Sequence, residues 1–214
     1  MDPSRKHCDE RKQMIKFNTS SKKYELIVDG KVVVKSTSVR YVNKRAVQYG
    51  VDTVSNSLIV AGPGGLGKTH TVTESLQDMG KTELGIGDID GDYIVIKGFS
   101  TAKAMYRTLF ENNGKIIVFD DADSVFKDVI GANILKAALD SYDKRVISWG
   151  AEMRGDDDLP QRFEFVGKVI FITNLSIDKM PQAIVSRSLK CDVSMSTEEK
   201  VERIEYVLRS NDFM

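Results

Sequence analysis

The stretch SLIVAGPGGLGKTHTVTESL, residues 57–76, decides the fold. Ser57 to Ala61 reads as a short buried strand. Gly62, Pro63, Gly64, Gly65, Leu66 and Gly67 then strip the chain of bulk, and behind Lys68 and Thr69 a helical pattern runs over 69–79. The eight residues GPGGLGKT, 62–69, fit the pattern G-x-x-x-x-G-K-[ST], and here they follow a strand and open a helix, which is the context that gives the match meaning. A triphosphate requires such bareness. Without Cβ atoms the backbone wraps around the β-phosphate, and its N–H groups together with the positive helix end neutralise the charge. Lys68 is expected to reach the β- and γ-phosphates, and the Thr69 hydroxyl to ligate Mg2+.

Downstream, apolar strands and helices alternate. YIVIKG, KIIVFD and KVIFITN read as strands; STAKAMYRTLFENNG, GANILKAALDSY and PQAIVSRS read as helices; KCDVSMS reads as a last strand. This alternation predicts a three-layer α/β/α fold with a central parallel sheet. KIIVFDDAD, 115–123, is an apolar strand whose C-terminal edge is acidic, and ligands of open α/β sheets bind at that edge. Asp120 is assigned to hold Mg2+ through water, and Asp121 to orient an attacking water. Between GANILKAALDSY and KVIFITN, two β-rich pieces at 145–149 and 162–166 flank a polar tip and predict an inserted hairpin, with Trp149 read as a core residue.

Upstream, residues 1–23 are polar and basic with no sustained period, and are read as a flexible basic arm. Asp29 and Gly30 carry the chemistry of a tight turn between strands at 24–28 and 31–35. A linker helix follows, with Gly50 as its stop. The chain thereby divides into the arm (1–23), hairpin and linker helix (24–50), nucleotide-binding core (51–195) and a last helix (196–214) capped by Ser196 or Thr197.

Composition sets the outer limits. The 214 residues are 41% hydrophobic and 29% charged, with 31 basic and 31 acidic side chains, so no whole-surface attraction to nucleic acid exists, though a local basic groove is compatible. No apolar run reaches the about 18 residues of a membrane span, and the charged start does not read as a secretory signal. A cytoplasmic location is expected, in the host cytoplasm if the chain is virus-encoded. Cys8 and Cys191 are too few and too far apart for a disulfide framework or zinc site, and are read as reduced.

With these motifs assembled, the chain from Gly50 onward resembles the AAA+ ATPases. GPGGLGKT corresponds to Walker A, IIVFDDAD to Walker B, VIFITN to the sensor-1 strand with Asn174 at its tip, and MPQAIVSRS to the helix presenting an arginine finger, Arg187. The resemblance implies a ring-like homo-oligomer, commonly a hexamer. In it Asp121, Asn174 and a neighbour's Arg187 complete the hydrolytic site around Mg2+-ATP. Three departures stand out. Walker B carries Asp120-Asp121 where the family usually has Asp-Glu, the 196–214 segment, which the resemblance makes the start of a helical lid, has room for little more than one helix, and no residue matches the sensor-2 arginine.

The loop IKGFSTAK corresponds to the family's pore loop, making Lys97 and Phe99 candidates for polymer contact. The hairpin resembles that of superfamily 3 viral helicases. Its tip carries Arg154 with Asp156, Asp157 and Asp158, which repel phosphate, whereas Lys144, Arg145 and Arg162 at its base suit a nucleic-acid strand. The expected function is an oligomeric ATPase acting on DNA in replication, recombination or packaging, with short phage AAA+ proteins as the resemblance. A remodeller of protein complexes with a protein partner, and a nucleotide-dependent switch with little turnover, remain the alternatives.

Overall fold

The computed structural model describes residues 13–18, 20–52, 55–85, 88, 90–98, 101–121, 123, 125–150, 158–193, 196–198 and 201. At its centre, β4 (Ser57–Ala61), β5 (Tyr93–Lys97), β6 (Ile116–Asp120), β9 (Lys168–Thr173) and β10 (Leu189–Asp192) form one sheet in the order β10-β4-β9-β6-β5. All four pairings are parallel. The predicted three-layer α/β/α architecture is therefore present.

The inner strands β4, β9 and β6 feed both faces by alternation. Ile59, Ala61, Ile117, Phe119, Val169 and Phe171 enter one core with α3 (Ala102–Glu111), α4 (Val129–Ala138) and α5 (Gln182–Val185). Leu58, Val60, Ile116, Val118, Ile170 and Ile172 enter the other, with α1 (Val39–Asp52) and α2 (Lys68–Asp78). Burial on both sides is why these strands read as unbroken apolar runs. Helix starts follow local chemistry: Thr101 Oγ1 accepts from Ala104 N at 3.1 Å, and Asp128 Oδ1 accepts from Ile130 N at 3.1 Å. Asp128 thereby opens α4 two residues before the predicted GANILKAALDSY segment, and α4 ends earlier, at Ala138.

Residues 13–18 correct the assignment of 1–23 to a flexible arm. They form β1 (Gln13–Asn18), antiparallel to β2 (Lys23–Val28), which pairs with β3 (Lys31–Ser36) around the predicted Asp29-Gly30 turn. A strand with one edge partner needs no strong pattern of its own, because β2 supplies the ladder and the buried face. Glu25, buried on β2, is neutralised by Lys35 Nζ at 3.0 Å and receives Asn18 Nδ2 at 3.1 Å, tying all three strands together. Lys35 holds its carboxyl below the ordinary glutamate range.

Gly50 does not stop α1, which runs to Asp52. Its role is proximity: a Cβ there would stand 2.9 Å from Leu58 Cδ1, so glycine lets the helix close on β4. The inserted hairpin is β7 (Val146–Ser148) with antiparallel β8 (Arg162–Glu164). Trp149 packs against Tyr106 at 5.6 Å between ring centroids, in keeping with a core role. Arg145 does not belong to a strand-binding base. It is buried, donates to Ala138 O at 2.8 Å and lies 5.1 Å over the Phe165 ring, clipping the hairpin to α4. Lys144 and Arg162 are exposed, as is Asp158, while Arg154, Asp156 and Asp157 lie outside the described residues. The 196–214 segment also lies largely outside them.

Candidate active site

Strand order assembles the site. β9 lies between β4 and β6, so its C-terminal tip emerges between the glycine-rich loop and the acidic edge. Register makes this concrete: Ala61, the last residue of β4, pairs with Thr173, the last of β9, and Asp120 ends β6 opposite Lys97 of β5.

The loop itself is built on conformations that demand glycine. Gly62, Gly65 and Gly67 have φ of 150°, 79° and 69°, which side-chain-bearing residues rarely adopt. Gly67 starts α2 with no side-chain cap, so the helix presents its first N–H groups without a carboxylate or hydroxyl in front of them. A Cβ on Gly64 would come 3.8 Å from Asn174 Oδ1, which shows how closely the loop passes the tip of β9. A cradle of positive φ values, an uncapped helix start and a lysine turned back towards it are a donor set suited to a polyphosphate.

Lys68 is buried beneath this loop. Its ammonium donates to Gly62 O at 2.8 Å, Pro63 O at 2.9 Å and Asn174 Oδ1 at 2.8 Å. Burial pulls its pKa below the ordinary lysine value, while the charges of Asp121, Asp123 and Asp120 favour its proton. Thr69 Oγ1 donates to Asp120 Oδ1 at 2.9 Å, bringing the two residues assigned to Mg2+ into contact. Among the described residues no cluster of three or more His, Cys, Asp or Glu side chains could hold a metal by itself. A hydroxyl beside one carboxylate suits Mg2+, which keeps several waters and takes phosphate oxygens as partners.

Asn174 joins the halves. Besides accepting from Lys68, it donates through Nδ2 to Asp121 Oδ1 at 3.0 Å. Its orientation is dictated by its partners, since an ammonium has only donors and a carboxylate only acceptors. Asp121 takes a left-handed φ of 57°, a cost that local hydrogen bonding by Asp tolerates and that concentrates at functional turns.

Two neighbours escaped the sequence reading. Asp123 Oδ1 accepts a short hydrogen bond from Thr173 Oγ1 and a longer one from Asn174 N at 3.3 Å. A third acidic residue beyond the Walker B pair was a visible signal, but its partner lies 50 positions away.

Other candidates stand apart from this cluster. Arg187 sits in the turn just after α5 rather than on it, half-buried, with Nη1 donating to Ala183 O at 2.9 Å. Lys97 is exposed at the end of β5, and Phe99 lies outside the described residues. Among the described residues no helix is long and apolar enough to cross a membrane.

This geometry has a counterpart in known proteins. The model of the ATPase family associated with various cellular activities (AAA) matches residues 58–198. The chain belongs to the AAA family. The match starts in β4 and takes in the glycine-rich loop, the acidic edge, Asn174 and Arg187 of this AAA domain. Over 173 positions the AAA chain is 34% identical to an uncharacterized 36.7 kDa protein in the nrdC-mobD intergenic region of Enterobacteria phage T4, covering 74% of this chain and 51% of the phage protein. It thus spans about half the length of that relative. NtrX from Brucella abortus in complex with ATP superposes with a TM-score of 0.53 at 14% identity, covering 83% of this chain and 42% of NtrX. Its ADP complex gives 0.54 at 13% identity, covering 81% and 40%. At such identities the likeness establishes the AAA fold alone.

Proposed function

We propose that this AAA-family chain is an ATPase that binds Mg2+-ATP on the 62–69 loop and hydrolyses it at the boundary between copies of itself. The observation that carries the reading is the Asn174 amide, which links the loop lysine to Asp121. When bound, ATP supplies the anhydride to be split and Mg2+ the charge that polarises it. The chain's residues do the positioning. Lys68 carries the cation that meets the β- and γ-phosphate oxygens, Thr69 and Asp120 offer oxygens to the metal, and Asp121 accepts from the attacking water while Asn174 fixes that carboxylate. Arg187 has its guanidinium anchored through Nη1, and in this reading it reaches a neighbour's site in a ring-like assembly, for which a hexamer is the working number.

Nucleic acid is the proposed polymer, contacted through the exposed Lys97 and, on the correspondence of the IKGFSTAK loop in sequence, Phe99. The proposal is tested by ATP hydrolysis with and without single- or double-stranded DNA over a salt series. DNA-stimulated turnover that falls steeply with salt supports it. Stimulation by a protein partner alone would replace DNA with a protein substrate. A switch with little turnover is the second reading. It is favoured by Asp121 being one methylene shorter than glutamate, and tight ATP binding without phosphate release would establish it.

A further inference from the structure

Besides the loop lysine and Asp121, one more residue is hydrogen-bonded to Asn174. Asn174 lies one residue past the end of β9, where ladder hydrogen bonds no longer fix the chain, yet its side chain meets two partners on different elements with good geometry. A side chain at a strand end with two free χ angles does not hold such a position unless its backbone is fixed.

One carboxylate oxygen does that. Asp123 Oδ1 accepts from the Thr173 hydroxyl and, at 3.3 Å, from the backbone N–H of Asn174 itself. Thr173 Oγ1 accepts in turn from Leu175 N at 3.1 Å. Residues 173, 174 and 175 are therefore all hydrogen-bonded, directly or through one hydroxyl, to a single oxygen on the turn after β6. Thr173 is buried, so its hydroxyl has no easy exchange with water, and loss of its acceptor leaves a donor unpaired.

We infer that Asp123 is a positioning residue: with Thr173 it clamps the tip of β9 to the turn carrying Asp121, so that the Asn174 amide spans Lys68 and Asp121. The inference rests on the ATPase reading for its kinetic consequence, but not for its structural one. Asp123 is hydrogen-bonded to the backbone N–H of Asn174 and not to its side-chain amide, whose partners are Lys68 and Asp121. Its carboxylate also contributes charge towards Lys68, and the test must separate that charge from the clamp.

Asp123→Asn keeps an acceptor oxygen and removes the charge; Asp123→Ala removes both. The first measurement needs no nucleotide: the side-chain amide resonances of Asn174 in a 15N-labelled protein. Asp123→Ala is expected to move them to the values of a free solvated amide, and Asp123→Asn to leave them near wild type. The second is steady-state hydrolysis of Mg2+-ATP. Asp123→Ala is expected to lower kcat by about 10- to 100-fold, as loss of an outer hydrogen-bonding partner does at other sites, with KM changed by less than about 3-fold. Asp123→Asn should restore most of kcat.

Unchanged Asn174 resonances in Asp123→Ala overturn the inference, as does an Asp123→Asn variant as impaired as the alanine, which would make charge the operative property. Thr173→Val removes the hydroxyl at nearly constant volume and reads the same clamp if Asp123→Ala does not fold. Should the wild-type protein neither bind nor hydrolyse ATP, the ATPase reading falls while the resonance measurement still decides the clamp.

Discussion

The Lys68 ammonium donates to Asn174 Oδ1 at 2.8 Å across 106 positions of sequence, joining the loop after one strand to the tip of the strand beside it. With the loop carbonyls of Gly62 and Pro63 as its other acceptors, the lysine is held at the site by groups that a phosphate can replace.

Lys68→Ala should therefore abolish measurable nucleotide binding. Two lost charge-assisted hydrogen bonds at about 1.5–3 kcal/mol each correspond to a loss of at least about 100-fold. Calorimetric titration with Mg2+-ATP measures this, and an affinity equal to wild type would refute the assignment of the loop.

Arg187→Ala should leave ATP affinity and assembly intact and lower kcat by about 10³- to 10⁵-fold, the range an arginine supplied in trans contributes in related enzymes. Mixing it with Asp121→Asn should restore activity, because one boundary in the mixed assembly then combines an intact acid with an intact arginine. Full activity of either variant by itself sinks the boundary-site model.

Gly167→Ala should destabilise the fold. Gly167 immediately precedes β9, and a Cβ there would meet Lys115 O at 2.7 Å and Phe165 Cζ at 2.8 Å, the first of them backbone that cannot rotate away. Overpacking of this kind costs about 1–3 kcal/mol, at about 2–4 °C in Tm per kcal/mol for a chain of this size. Thermal unfolding at unchanged Tm would contradict the packing described.

Cys191 predicts a pH dependence. Buried on β10, with Asp192 beside it, its thiol is pushed up from 9.0 to about 12. Below pH 9 the folded and unfolded chains both keep the proton, and the full contribution of this burial to stability is present. Between pH 9 and 12 only the unfolded chain sheds it, so stability falls as pH rises, by up to about 1.4 kcal/mol per pH unit. Cys191→Ala should show a shallower alkaline decline in denaturant unfolding, and in a Cys8→Ser background a maleimide should label the thiol only after unfolding. Rapid labelling of the folded protein would refute it.

What the sequence disclosed follows from how local each signal is. GPGGLGKT and IIVFDDAD are contiguous, and doubly buried parallel strands are apolar at every position, so the loop, the acidic edge and the alternating fold were all legible. Asn174 was legible as a polar residue closing an apolar run. Asp123 was not, because its meaning depends on a hydroxyl 50 positions away. β1 was hidden by its polar residues Gln13, Lys16 and Asn18 and by its need for β2, and Gly50 passed for a helix stop because its contact with Leu58 exists only once α1 lies on β4. Arg145 passed for a surface cation because its acceptor is a main-chain carbonyl, Ala138 O, which no side-chain pattern reveals.

The small N-terminal sheet has a mechanical consequence. β1 lies against β10, β10 is bonded along β4, and β4 runs directly into the glycine-rich turn. The described strands β1 to β3 are thus one strand removed from the strand that carries the glycine-rich turn, so a pull on that sheet has a short path to the turn.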